Sequence, residues 1–266
     1  MMHLFKVEWL KIRSYKTFWV LFGAFCVMYP LAFYFSASKY MEKSKGGAAE
    51  DTIKAFLGSP FIFPKVWHAS AWMGGLFFVM IGMLFILLIT NEVQYRTHRQ
   101  NIIDGWSRMD FLKAKFSLLI FFVLVSTLLV ALCALLVGFV FSENYDAAGE
   151  GLKYLGYFAL MATLYLMVAF LVAILVKRTG LSIIIYFAIV CAVDNILWLI
   201  LTLYDNQVGY FLPLESTDSL IVNPFKPSIM EKRTVDDYWL LATAIAYILL
   251  FGYIITSFFK KTDLKT

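Results

Sequence analysis

SAWMGGLFFVMIGMLFILLIT (residues 70–90), NEVQYRTHRQNIIDGWSRMDFLKAK (91–115) and FSLLIFFVLVSTLLVALCALLVGFVF (116–141) follow one another without a break. The first and third carry no Asp, Glu, Lys, Arg or His, and each is long enough to cross about 30 Å of hydrocarbon as a helix. Lipid offers no partner to a backbone N–H or C=O, so such runs read as transmembrane helices. The same search finds four more, at residues 17–37, 154–176, 181–203 and 239–259. Asp194 is the one Asp, Glu, Lys, Arg or His within all six.

Composition agrees. Of 266 residues, 61% are hydrophobic and only 15% charged, against roughly 25% charged in a soluble domain. Mean hydropathy is +0.76. These values exclude a soluble enzyme, a disordered regulator and a disulfide-stapled secreted module, and predict one all-α transmembrane domain over residues 1–266 embedded in a lipid bilayer. The three cysteines, Cys26, Cys133 and Cys191, sit inside apolar runs without metal-ligand spacing, so neither zinc nor a disulfide is expected. A net charge of +5 reads as topology rather than as a nucleic-acid surface, because basic residues in short loops orient membrane proteins.

With both termini on one side, 14 basic residues gather there, in the N-terminal segment, residues 91–115, the Lys177-Arg178 pair and the C-terminal tail. The other side has 9, spread over longer segments, together with most of the acids. Both termini are therefore expected in the cytoplasm, in the cell (inner or cytoplasmic) membrane of a multi-pass protein. The first span follows a basic start but is longer than a signal-peptide core and lacks an A-x-A-like site, so it reads as a retained helix.

Outside the spans, Met2, Phe5, Trp9 and Ile12 form one helical stripe with Lys6 and Arg13 at its edge, as in a helix lying in the cytoplasmic interface. A second stripe of Leu4, Val7 and Leu10 leaves a simple basic tail as the alternative. The segment 38–69 starts solvated and turns apolar; 204–238 is too long for a turn and too apolar for a free linker. The insert 91–115 packs charges around Ile102, Ile103, Trp106 and Phe111. A solvated loop with basic anchors explains the charges but not the hydrophobics, which predict a short helix that packs on something.

That insert resembles the loop between the second and third spans in membrane subunits of type 2 ABC exporters, with Glu92, Thr97, Ser107, Arg108, Phe111 and Lys115 at the matching positions. It departs in having Tyr95-Arg96-Thr97 where Gly-Thr is more usual, and Trp106 where Pro often precedes Ser-Arg. The motif covers about 25 residues, as the loop itself does; the architectural likeness extends over the whole chain. The resemblance implies a cytoplasmic interface helix, six spans, a coupling helix between spans 2 and 3, and short re-entrant external helices before span 6. It implies that Arg99, Ile102, Ile103, Asp104, Trp106 and Arg108 meet a separate ABC ATPase subunit, with Glu92 and Lys115 anchoring the loop on the spans. The chain has no G-x-x-x-x-G-K-[ST], so it cannot cradle ATP phosphates by a P-loop. It is not expected to be an enzyme or to bind a cofactor; ATP and Mg belong to the partner. Six spans are half of a twelve-span translocator, so a second permease copy or a paralogue is expected. The cargo class that fits apolar, aromatic-rich spans is lipid-like, amphiphilic or peptide, although core packing favours the same composition.

No HExxH, paired Glu or GxSxG supplies catalysis, and His3, His68 and His98 are scattered. Asp194 is functional by default, since a carboxylate in a span costs a few kcal/mol at the bilayer centre. With Asn195 it is a pathway residue, or it lies nearer the surface than these span bounds suggest, or it caps an extracellular helix break; a proton-coupled secondary transporter using Asp194 is the alternative function. Such a transporter usually shows an internal repeat, and none is found.

The charge asymmetry gives a direct test. In a cysteine-free background, Lys45→Cys should react with an impermeant maleimide on sealed cells, while Arg99→Cys should react only after permeabilisation. The reverse pattern contradicts the orientation.

Overall fold

The computed structural model describes residues 2–43, 59–94, 107–204, 207–225 and 235–261. Among them all regular structure is helical. A short helix, α1 (Met2–Arg13), turns through Ser14 and Tyr15 into α2 (Lys16–Lys43). Then come α3 (Val66–Gln94), α4 (Arg108–Phe141) and α5 (Lys153–Val176). The fifth span is α6 (Thr179–Ala188), a wide π turn (Ile189–Val193) and α7 (Asp194–Leu203) in continuous succession. A 3-10 turn (Gln207–Phe211), a one-turn helix α8 (Glu215–Asp218) and the last span α9 (Asp237–Lys261) complete the chain. Among the described residues, six helices are long and apolar enough to cross a membrane.

The third span begins earlier than its charge-free run. Ser107 accepts a hydrogen bond from the Asp110 N–H, and the Asp110 carboxylate accepts from the Ser107 N–H, a capping box that starts α4 at Arg108. Lys113 and Lys115 therefore lie inside a helix rather than in the loop assigned to residues 91–115. At the far end of the previous element, α3 carries Asn91 and Glu92 in helical conformation. What remains between the two helices is Tyr95 to Ser107, nearly all of it outside the described residues.

α3 and α5 form the core. α3 packs on α2, α4, α5 and α6, and α5 is buried along most of its length. Aromatic rings fill the seams, including Phe78 against Phe158 and Phe85 against Phe122 and Phe170, all edge-on. One buried polar knot fastens the first three spans: Tyr29 and Ser70 share a hydrogen bond of 2.6 Å, and Ser70 donates to the Val130 carbonyl at 2.8 Å. Large apolar side chains such as Leu31, Leu124, Leu136 and Leu249 point outward. For helices of this hydropathy, hydrocarbon rather than water is the solvent that fits such a surface.

The fifth span turns a single face inward. Ser182, Tyr186, Val190 and Asp194 are all buried at intervals of four, while Ile184, Phe187 and Val193 are exposed. A regular helix of about 3.6 residues per turn drifts off such a row, and the extra residue in the π turn corrects the register. Asn195, on the outer side, donates to the Val190 carbonyl at 3.1 Å within the widened turn. Gly82 of α3 lets Tyr186 approach: a Cβ there would stand 2.0 Å from the phenol oxygen.

Gly82→Ala should therefore lower thermal stability in detergent by about 1–3 kcal/mol through overpacking, outweighing the roughly 1 kcal/mol that alanine gains over glycine in a helix. Gly23→Ala, whose Cβ would meet nothing within 4 Å, should be neutral or stabilising. Equal behaviour of the two variants contradicts the close approach.

Candidate functional site

α1 has few features of its own beyond an amphipathic stripe, and its position comes from contacts that reach far along the chain. Trp9 packs edge-on against Phe18 and Phe121, at 6.4 and 5.5 Å between ring centroids. Ile12 is buried, as its place on the stripe demands. Glu8 stands beside that stripe and is buried too.

Glu8 meets Lys115, in the second turn of α4, at 2.5 Å. The same ammonium donates to Glu92 of α3 at 2.7 Å. Lys11 closes the arrangement, 3.3 Å from Glu8 and 3.6 Å from Glu92. Two cations thus face two carboxylates across three helices, and Lys115 itself is fully buried. Removing an ammonium from water costs several kcal/mol, and only close anions with good hydrogen bonds offset that. Burial by itself would push the Glu8 carboxyl up, but Lys115 and Lys11 outweigh it and hold the group below its ordinary range.

The residues preceding Glu92 extend the junction. Asn91 donates its side-chain amide to the Tyr15 hydroxyl at 2.8 Å, in the turn between α1 and α2. Thr90 and Thr179 share a hydrogen bond of 2.8 Å, which brings in the start of the fifth span. Thr90, Asn91 and Glu92 therefore connect α3 to the fifth span, the first turn and α4, close to where α3 ends at Gln94.

Glu92 and Lys115, read from sequence as loop anchors, are thus in direct contact. Arg99, Ile102, Ile103, Asp104 and Trp106 lie outside the described residues; Arg108 is placed only as the first residue of α4. Asp194 is buried, and its carboxylate accepts from the backbone N–H groups of Leu214 and Glu215. Asn195 points the other way, into the wide turn. Sequence reasoning missed Glu8, Lys11, Tyr15, Thr90, Asn91 and Thr179. Glu8 did carry a signal, being the one acid in a basic N-terminal segment. No group of three or more His, Cys, Asp or Glu that could hold a metal occurs among the described residues.

Six membrane-length helices among the described residues, with an ionic junction at the end that carries the termini, define a multi-pass helical membrane protein. The profile described as ABC-2 family transporter protein matches residues 4–193, from α1 to the wide turn in the fifth span. The chain belongs to that family and is an ABC transporter permease. Membership implies association with an ABC ATPase partner, the permease itself being typically a non-enzymatic transport subunit. No curated protein matches the chain.

Lys115→Met should be the most damaging change in the cluster, because it leaves two carboxylates with only the part-exposed Lys11 between them, at a cost of about 3–5 kcal/mol. Glu8→Gln should cost less, since Lys115 keeps Glu92. Thermal unfolding in detergent orders the two. The pH dependence has a definite sign. A depressed Glu8 stabilises the fold above the unfolded value of about 4.3, and that contribution disappears as pH falls through the lower folded value. Trp9 fluorescence should report α1 in place at neutral pH and released only once the pH falls below the ordinary glutamate range.

Proposed function

We propose that this permease is the membrane half of an ATP-driven exporter, and that the Glu8, Glu92, Lys115 junction carries motion from the loop between spans 2 and 3 into the bundle. The observation that supports this reading is the buried Lys115 shared by α1, α3 and α4, next to a charged segment rich in apolar residues. The ATPase docks on that segment from the cytoplasm, where both termini also lie. Ile102, Ile103 and Trp106 bury against it, with Arg99, Asp104 and Arg108 framing the contact. ATP and Mg stay on the ATPase.

Two such permeases, identical or paralogous, pack about a two-fold axis and supply twelve spans. The cargo is lipid-like, amphiphilic or peptide, the class that apolar, aromatic-lined helices accommodate. A proton-coupled mechanism is less favoured, because the family match over residues 4–193 points to an ABC permease.

Interface energy concentrates in buried aromatic and apolar anchors, while rim charges set encounter rate and specificity. Ile103→Asp or Trp106→Ala should weaken association with the ATPase by about 2 kcal/mol or more. Arg99→Ala should cost less and depend on salt. Pull-down of the ATPase by detergent-solubilised variants reads both. Wild-type retention by Ile103→Asp and Trp106→Ala together contradicts the docking assignment.

A further inference from the structure

The end of the bundle away from the termini is filled by residues 207–221. Leu214, Ser216, Thr217, Leu220 and Ile221 are buried there. Three spans hold this segment, each at a different point. From α5, the Tyr165 hydroxyl donates to both carboxylate oxygens of Asp218, at 2.8 and 3.0 Å. From α9, the Tyr247 hydroxyl donates to the Phe211 carbonyl at 3.0 Å. From the fifth span, Asp194 accepts from the N–H groups of Leu214 and Glu215. The last contact supplies a missing cap, because Leu214 stands at the N-cap of α8 without any side-chain hydrogen bond of its own.

Asp194 owes its inward direction to the π turn that immediately precedes it. Returning that turn to α geometry removes one residue's worth of rotation, about 100°, and carries Asp194 away from α8. The register seen here grips the segment, and the α register would release it. Tyr186 offers an internal comparison: it lies on the same buried face, yet its hydroxyl has no hydrogen-bond partner among the described residues.

We propose that Asp194 is a positioning residue that latches residues 207–221 across the outer mouth of the bundle, and that register change at the π turn releases the latch during transport. The part concerning the outer mouth and transport rests on the exporter reading. The latch itself does not.

The test uses Ser216→Cys, a near-isosteric thiol in a buried position, with Cys26, Cys133 and Cys191 replaced by serine. Maleimide labelling is timed in detergent, so membrane orientation is immaterial. Asp194→Asn should raise the rate at least about tenfold, the scale of losing hydrogen bonds to a charged acceptor. Tyr165→Phe should raise it less, and Tyr186→Phe should leave it unchanged. An unaltered rate in both Asp194→Asn and Tyr165→Phe overturns the latch, as does an equal rise in Tyr186→Phe, which signals general loosening. In complex with the ATPase, a non-hydrolysable ATP analogue should accelerate labelling when Asp194 is intact and have no further effect in Asp194→Asn. An identical nucleotide response in both overturns the gating role while leaving the detergent result standing. Failure of the ATPase to associate is read separately by pull-down, and tells against the exporter reading.

Discussion

A fully buried lysine is held between two carboxylates from two other helices, and the arrangement of the terminal end of this protein depends on it. Without Glu8 and Glu92, the Lys115 ammonium has to reach water or lose its proton, and α4 cannot enter the bundle at its present depth. Without Lys115, α1 keeps only the longer Lys11–Glu92 pair, at 3.6 Å, to tie it ionically to α3 and loses its ionic tie to α4. Hydrophobic packing of Trp9 and Ile12 supplies area, whereas the charge cluster supplies register. Buried ion pairs contribute little net stability compared with apolar substitutes, and their established use is to specify one arrangement among several.

Position gives that arrangement its functional meaning. The third and fourth helices flank the segment of residues 95–106, and each contributes one partner to the cluster. The hydrogen bonds of Thr90 and Asn91 continue the connection to the fifth span and the first turn. At the other end, the fifth span holds the segment 207–221 through Asp194. One helix thus touches both the junction and the latch. In a permease that answers to an ATPase on one side and opens on the other, a continuous helix with an adjustable turn is a physical route for coupling.

Much of the fold was legible in the sequence because hydrocarbon imposes a simple rule: about 20 residues without charge make a span. The rule fails where a charge is compensated by tertiary contact. Lys113 and Lys115 ended the loop in the sequence reading, yet the Ser107 and Asp110 capping box starts the helix ahead of both. No local pattern reveals that Glu8 neutralises Lys115 from 107 residues away. The cost of a carboxylate in a span singles out Asp194, and leaves open a pathway role, a place nearer the surface or a cap on a helix break. The N–H partners of Asp194, in a helix of a single turn, left no periodic signal. Apolar composition marked residues 204–238 as more than a linker, while the three ties that hold them are side-chain contacts among distant spans.

Hydrogen–deuterium exchange on the permease bound to its ATPase, with and without nucleotide, addresses the junction most directly. If the cluster transmits motion, nucleotide changes the exchange of residues 2–13 together with that of residues 88–94 and 108–116. A change confined to residues 95–106, with α1 unaffected, contradicts the account.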